Sequence, residues 1–525
     1  MRANRRSFLR MLAGGAAWLA GGTARAQAAR NRWDVHRATR NTLLGAMGAL
    51  LPTFKGRPPV FKAYPGRTRI ALPALVASSG GSLSEVVRQW PTVVETSADR
   101  LTLPELGRLL HLSNGVTTLP RPGGLRSARR AAPSAGALYS GEIYVAAMHI
   151  DGLASGIYYY AVTDHALVEV AGEAALGHVA RAVEEPAQIA GAAAAILLTN
   201  VFERYTYRYA NRGYRYALID SGHIGENLRL AAASAGMRQR YFSAFQDDLL
   251  NDLLEIDGVE EALCALHVVG GRSESRMAGK KLARATLVEV QDVSPPGFTD
   301  APVIQRYHSA TKLVAGTENS SQSSVSPRVV SPLPRPTIWL PRSDPGPAMR
   351  VEDAIRVRRS TRDFLADSMS LDDFGYVLEM AQGHPSLERC TGIELQLAVH
   401  RVSGLAPGLY RYRPTDHRLQ VLREGPLADD LVRVCLRQKK AGSAAAAFLM
   451  VADLGPGHAH ASSRRYRDLL LESGAIGQRT YLAAEACGHS ARNLAAFVDD
   501  SLNWLLGLDR EREAVVHLTL VGPGD

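Results

Sequence analysis

The 525-residue sequence has only four cysteines, Cys264, Cys390, Cys435 and Cys487, and no C-x-x-C pair. So few and so scattered, they exclude a disulfide framework, a zinc ribbon and a thioredoxin-like redox pair. No apolar run reaches the roughly eighteen residues of a membrane-crossing helix, so no span is expected after the N-terminal segment. Also missing are G-x-x-x-x-G-K-[ST], a G-x-G-x-x-G following a strand, H-E-x-x-H and G-x-S-x-G. Nucleotide hydrolysis, zinc proteolysis and α/β-hydrolase chemistry therefore have no foothold, and no metal site is expected. What is there reads as globular: 46% of residues are apolar and 21% charged. The length suits about two to four domains.

Residues 1–28 form a targeting segment. "NRRSFLRMLAGGAAWLAGGTARAQA" carries twin arginines, Arg5 and Arg6, then Phe8 and Leu9, a weakly apolar Gly/Ala stretch, and small-x-small sites near Ala26 or Ala28. Their order and spacing match a twin-arginine export signal better than a basic helix or a membrane anchor. That route carries folded proteins, which hints at a cofactor acquired before export, and predicts a periplasmic or extracytoplasmic location. It also changes the charge argument. The segment holds five arginines and no acid, so its removal lowers the net charge from +10 to +5. That excess is too small to signal a nucleic-acid partner.

The chain is a duplication. "GLASGIYYYAVTDHAL" (152–167) and "GLAPGLYRYRPTDHRL" (404–419) agree at ten of sixteen positions, 252 residues apart. The same offset aligns "SGHIGENLRLAAASAG" (221–236) with "SGAIGQRTYLAAEACG" (473–488), and "LLEIDGVEEALCALHVVG" (253–270) with "LLGLDREREAVVHLTLVG" (505–522). Earlier, "VHRATR" (35–40) resembles "YHSATK" (307–312). A period this long means duplicated domains and not a solenoid. The expected layout is a first domain over 29–275 with an N-terminal arm, a Ser/Pro-rich linker over 276–347, extended or draped, and a second domain over 348–525.

Within a unit, a helix (Leu103–Leu110, or Leu371–Ala381) precedes two strand-like runs, "EIYVAAMHI" and "GIYYYAV". "AAAAILLTN" (192–200) reads as a strand, with helix the alternative. A long helix is predicted over Tyr214–Ala235, with Gly236 just past its end. "ALCALHVVG" and "AVVHLTLVG" read as closing strands. The class is α+β, with helices around a small mixed or antiparallel sheet.

Two stretches carry candidate chemistry. "RVRRSTRDF" sets Arg358, Arg359 and Arg362 around Ser360, at the end of an amphipathic helix that begins near Val351. Guanidinium forks and a hydroxyl match phosphate oxygens, although a solvated basic helix end has the same composition. "RRAAPSAGALYSGEIY" (129–144) is small and polar in a way that helices and strands avoid. Pro133 fixes its backbone, and Ser134, Ala135 and Gly136 leave room for a flat ligand.

These residues carry a resemblance. "RRSTRDF" resembles the R-R-S-x-R-x-F signature of flavin-dependent nitroreductases. "RAAPSAGALYSGEIY", "YRYALIDSGHIGENLRLAA", "GLASGIYYYAVTDHAL" and "PPVFKAYPGRTRIALP" are similar to blocks of the SagB-type dehydrogenases, a branch of that superfamily. The resemblance implies FMN, two tandem nitroreductase-like domains and a dimer-like pairing within one chain. It assigns Arg358, Arg359, Ser360 and Arg362 to the FMN phosphate. Arg130, Pro133, Ser134, Ala135 and Gly136 it assigns to the cofactor-binding loop beside the ring.

The parts are divided between the halves. Where the first half should carry its arginines it reads "RQWPTVVETSADR" (88–100), and where the second should carry its loop it reads "HPSLERCTG" (384–392). One good composite site is expected, with one FMN, and one degenerate site. In azoline-oxidising relatives a Lys-Tyr pair is thought to move protons. Here the pair is Arg208–Tyr209, and arginine is a poor base, so Tyr209 is the candidate proton partner. His223 and Asp220 read as structural groups, and the "VHRATR" and "YHSATK" stretches as arms.

The implied activity is an exported FMN-dependent oxidoreductase, with hydride transfer at flavin N5 to or from a small or peptide-derived substrate. Its electron partner would be oxygen or a quinone. Alternatives are nitro or quinone reduction, and a flavin- or partner-binding protein without turnover.

Overall fold

Side chains alternate along every central strand, and both faces of each sheet are covered. In the computed structural model, which describes residues 32–42, 58–75, 80–89, 101–118, 128–271, 286–289, 303–315, 335–382, 392–455 and 463–525, two seven-stranded antiparallel sheets each pack against helices. The export segment, the Ser-rich stretch 316–334, most of 88–100 and nearly all of the loop 384–392 lie outside the described residues.

The first sheet comprises β1 (Arg69–Ala71), β2 (Gly141–Ala147), β3 (Gly156–Ala161), β4 (Ala166–Gly172), β5 (Ala194–Val201), β6 (Gln239–Phe242) and β7 (Glu261–Val269). The second comprises β8 (Thr337–Trp339), β9 (Ile393–Val399), β10 (Gly408–Arg413), β11 (Arg418–Glu424), β12 (Ala446–Asp453), β13 (Ser490–Asn493) and β14 (Glu513–Gly522). Their spatial orders, β1-β4-β3-β2-β5-β7-β6 and β8-β11-β10-β9-β12-β14-β13, are the same path drawn twice. The 192–200 run is a strand, since its alanines lie flat between β2 and β7.

On β2, Ile143 and Val145 face a core that spans both halves, while Tyr144 and Ala146 face a smaller core of the first half. This is the period-two alternation of a sheet covered on both sides. The shared core is built on two long helices, α4 (Gly213–Ser234) and α8 (Ser463–Ala486), and each half adds one more, α2 (Leu103–Asn114) or α7 (Leu371–Gln382). Nearly every residue of α4 is buried. A soluble helix buried on all sides lies between layers, and here the layers are the two sheets.

The arms lock the halves. The first arm holds α1 (Arg32–Thr39). Arg215 of α4 donates to Thr39 Oγ1 (2.9 Å) and to the His36 carbonyl (2.7 Å). Arg212 and Arg215 both clasp Asp499 of the second half at 2.6 Å. The duplicate lies 252 residues on. Arg467 donates to Thr311 Oγ1 (2.6 Å), and Arg464 and Arg467 clasp Asp247 of the first half at 2.7 and 2.8 Å. Burial pushes both carboxyls up, but the arginines outweigh it and hold them below the usual carboxylate range.

One expectation needs correcting. The segment 276–347 is not all draped linker. It contains α5 (Val303–Ser309), which leads into the second arm, and the edge strand β8, paired antiparallel with β11. The second unit therefore begins before residue 348. The reason is the sheet edge: β8 does for the second sheet what β1 does for the first.

Candidate functional site

Arg358 is where the halves meet. Helix α6 (Val351–Val357) stops one residue short of it, and Arg358 adopts an extended conformation, φ −42° and ψ 126°. The arginines expected at the end of the helix thus lie on an extended run just past it. Ser360 bridges to Ala491 at the edge of the second sheet, and the side chains part company along the run. Arg358 is 4% exposed, Arg359 half-buried and Arg362 exposed.

The Arg358 guanidinium reaches into the first half. Nε donates to the Ala131 carbonyl (3.0 Å), Nη2 reaches the Arg130 carbonyl (3.4 Å), and the group lies 5.3 Å from the Tyr481 ring centre. Nη1 is buried without a hydrogen-bond partner, and among the described residues no carboxylate forms an ion pair with this arginine. Burial lowers its pKa, a mark of desolvated positive charge that nothing nearby fully balances. An uncompensated buried guanidinium is costly, and an anion is the group that relieves it.

Around it runs a chain of polar contacts. Ser360 Oγ meets Tyr481 Oη (2.8 Å), and Tyr481 Oη accepts the Asn493 N–H (2.7 Å). Asn493 also accepts from Thr519 (2.8 Å) and donates to His223 Nε2 (2.7 Å). His223 Nδ1 donates to the Ile219 carbonyl (2.7 Å), which fixes the neutral tautomer, and burial lowers its pKa to about 4. His223 is therefore a buried, hydrogen-bonded strut. Arg359 is held by its own backbone, with its N–H on Glu485 Oε1 (3.0 Å) and Nη1 on the Arg356 and Arg358 carbonyls (2.9 and 2.7 Å).

The Pro133–Gly136 loop approaches from the first half. Ala135–Ala137 form a 3₁₀ turn in which Gly136 takes φ 62°. A Cβ there would collide with the Tyr209 hydroxyl and stand 3.7 Å from Arg208 Nη1. Gly136, Arg208 and Tyr209 are thus brought together. Tyr209 is pushed up to about 12 by burial, against the pull of Arg208, so it keeps its proton at neutral pH.

Arg130 does not join Arg358 as a second anion ligand. Its guanidinium, 1% exposed, lies between the Phe61 and Tyr139 rings (5.2 and 4.7 Å). It donates to the Val60 and Gly141 carbonyls (3.1 and 3.4 Å). It props the loop from beneath, and only its carbonyl meets Arg358.

Sequence reasoning missed Tyr481 and Asn493. The signal was available in the repeat: they align with Arg229 and Tyr241, so these are positions where the duplicates diverge. The same comparison describes the reciprocal position, a cavity lined by Glu226, Arg229, Gln239, Tyr241 and His267. Arg229 Nε donates to Glu226 (2.9 Å), and Arg479 pairs with Glu226 and Glu472 (3.2 and 3.6 Å). There the guanidinium groups are already matched by carboxylates. Among the described residues no His/Cys/Asp/Glu cluster could hold a metal ion.

Fold and site together define a fused pseudo-dimer of α+β domains with a buried guanidinium crossing from one half to the other. The nitroreductase family profile matches residues 97–272 and 355–522, and the chain belongs to that family. An Anabaena variabilis protein named as a nitroreductase has a crystal structure with a TM-score of 0.76 at 26% identity, covering 94% of this chain and 99% of that one. The tandem arrangement is therefore shared over the full length. A Methanocaldococcus jannaschii protein, also named as a nitroreductase, is 32% identical over 174 residues, 33% of this chain and 84% of its own length. The Escherichia coli microcin B17-processing protein McbC is 27% identical over 144 residues, 26% of this chain and 52% of its own length.

Proposed function

We propose that the chain is an FMN-dependent oxidoreductase of the SagB type, with one FMN held between its halves. The observation that carries the reading is Arg358: a buried guanidinium, crossing from one half to the other, with a nitrogen left for an anion. Its surroundings fit a flavin nucleotide. Arg358 and Ser360 would hold the phosphate, with Arg359 and Arg362 at the mouth. The Pro133–Gly136 backbone would line the ring, with glycine at position 136 letting the Tyr209 hydroxyl stand directly against the loop. FMN, when bound, supplies two-electron transfer at N5. The chain's own part is to orient the ring, exclude water behind the loop, and present the protonated Tyr209 hydroxyl.

Similarity to McbC supports a peptide-derived substrate, while Arg208 in place of lysine removes the base that azoline oxidation would use. The twin-arginine segment supports an extracytoplasmic location, with oxygen or a quinone as electron partner. Among the described residues no helix is long and apolar enough to cross a membrane. The ion-paired reciprocal cavity supports a single flavin per chain. The test is the absorbance spectrum and flavin content of freshly purified protein. One FMN per chain is expected; a colourless folded preparation would reject the reading, and two per chain would reject the single site.

A further inference from the structure

Beneath the loop lies a carboxyl group that the proposed chemistry has not used. Asp220 is buried in the middle of α4, 6% exposed. It accepts a hydrogen bond from the hydroxyl of Tyr205, which lies on α3 (Glu203–Tyr209) and is fully buried. The Ala135 N–H also reaches Asp220. Tyr205 Oη in turn meets Ser134 Oγ (2.7 Å), and Ser134 Oγ accepts the Tyr139 N–H (2.8 Å). Since the Tyr205 proton points to Asp220, the Ser134 proton points inward as well, to Tyr205 or to Asp220 itself, which it also reaches. The chain thus has one direction, from the loop inward to the carboxylate.

The groups that face Asp220 are Tyr205 and Tyr209 from α3, and Ser134 and the Ala135 N–H from the loop. Among the described residues no lysine or arginine pairs with it. Its duplicate, Glu472, has Arg479 at 3.6 Å instead. Burial raises the Asp220 carboxyl to about 7, with Tyr205, Ser134 and Ala135 pulling it part of the way back.

We propose that Ser134, Tyr205 and Asp220 form a reversible proton wire, with Asp220 the buried reservoir and the Ser134 hydroxyl the exit onto the flavin-lining loop. The inference rests on the FMN reading above. When Ser134 accepts a proton from water at the loop, its own proton passes to Tyr205 and the Tyr205 proton to Asp220, which leaves Asp220 donating to Tyr205, Tyr205 to Ser134, and the Ser134 O–H turned away from the wire. When that proton leaves to an acceptor in the cleft, the Tyr205 proton passes to Ser134 and the Asp220 proton to Tyr205. The carboxylate is restored, with one proton taken up and one delivered. Asp220 is a positioning residue that acts through Ser134 and does not touch the flavin.

The experiment measures the midpoint potential of the bound flavin across pH 5–9 in the wild type, Asp220→Asn and Tyr205→Phe. The potential of the wild type is expected to change slope near pH 7, and Asp220→Asn to lose that change while keeping its flavin. Tyr205→Phe removes a hydrogen bond to Asp220 as well as the relay, so it should keep a slope change moved to higher pH but slow the proton-coupled reduction of the flavin by about tenfold or more, measured by stopped flow over the same pH range. A flavin-bearing Asp220→Asn that keeps the change of slope, or a flavin-bearing Tyr205→Phe reduced at the wild-type rate, overturns the wire alone. A colourless wild type overturns the FMN reading and the wire with it.

Discussion

Gly222 and Gly474 face each other where the two long helices cross, and they are the same residue of the repeat, 252 positions apart. A Cβ on Gly222 would collide with the Leu471 carbonyl, and one on Gly474 with the Ile219 carbonyl, a pair again 252 apart. The pseudo-two-fold axis passes through this contact. Two backbones touching here bring the arginines of one half to the loop of the other.

Gly222→Ala should therefore destabilise the whole chain and not one half of it. The obstacle is backbone, which a rotamer change cannot move aside. Overpacking of this kind costs about 1–3 kcal/mol. Denaturant unfolding should show the loss, and Gly474→Ala should match it by symmetry. Gly177 lies on a short helix (Leu176–Arg181) with nothing within 4 Å of its Cβ position, so Gly177→Ala is the control that should stabilise, by about 0.4–1 kcal/mol, and not destabilise.

Arg358→Ala should release the cofactor while leaving the fold intact. A charge-assisted contact of this type is worth about tenfold to a hundredfold in affinity. Flavin fluorescence on titration with FMN measures it, with circular dichroism as the check on folding. Arg130→Ala should behave differently. Its guanidinium supports the loop from beneath, so the variant should lose stability as well as flavin.

The contrast between Arg358 and Arg130 shows what a sequence of this kind discloses. The gapless 252-residue offset makes the duplication legible, because strands and the long helix tolerate no insertions where they pack. The α+β class and the closing strands follow from it. The division of site parts between halves is legible for the same reason, since a missing motif is visible only against its duplicate. The direction of each guanidinium is not legible. Arg130 and Arg358 both sit in arginine-rich motifs, and only the third dimension puts Phe61 and Tyr139 around one and Tyr481 beside the other. Nor is the end of α6. An amphipathic pattern continues to Arg358, but the Ser360–Ala491 bridge draws the chain out of the helix. The role of Asp220 is hidden as well, because a buried acid on a helix reads as structural until its partners are known.

Acid should separate the halves. Asp499 and Asp247 have folded-state pKa values below their unfolded ones. Such groups add stability that is complete above the unfolded carboxylate range, about pH 4, and that is lost as pH falls through the folded value. Each carboxyl joins a helix of one half to the terminal part of the other. Stability measured by denaturant midpoint should fall steeply below about pH 4, while the buried carboxyls of Asp220 and Glu472, each raised to about 7, work the other way and lower it as pH rises from about 4 to 7. Asp499→Asn should cost about 3–5 kcal/mol at neutral pH, because it strands Arg212 and Arg215 without a counter-charge. It should also flatten the acid limb, since the titrating group is gone.

Tyr209→Phe tests whether the hydroxyl beside Gly136 takes part in chemistry or only fills space. The ring stays, with its edge-on contact to Tyr216 at 4.9 Å between centres, so packing and flavin content should be unchanged. What disappears is a proton that burial keeps on the oxygen through the neutral range. If Tyr209 donates in the reaction, turnover with any competent substrate should fall about a hundredfold or more, with little change in KM, as expected for loss of a general acid. Gly136→Ala approaches the same contact from the other side. Its methyl would strike the hydroxyl at a backbone angle that alanine resists, so it should displace Tyr209 and lower flavin affinity together. Unchanged turnover in Tyr209→Phe, alongside a damaged Gly136→Ala, would leave the loop as a ring-binding surface and move the proton donor elsewhere in the cleft.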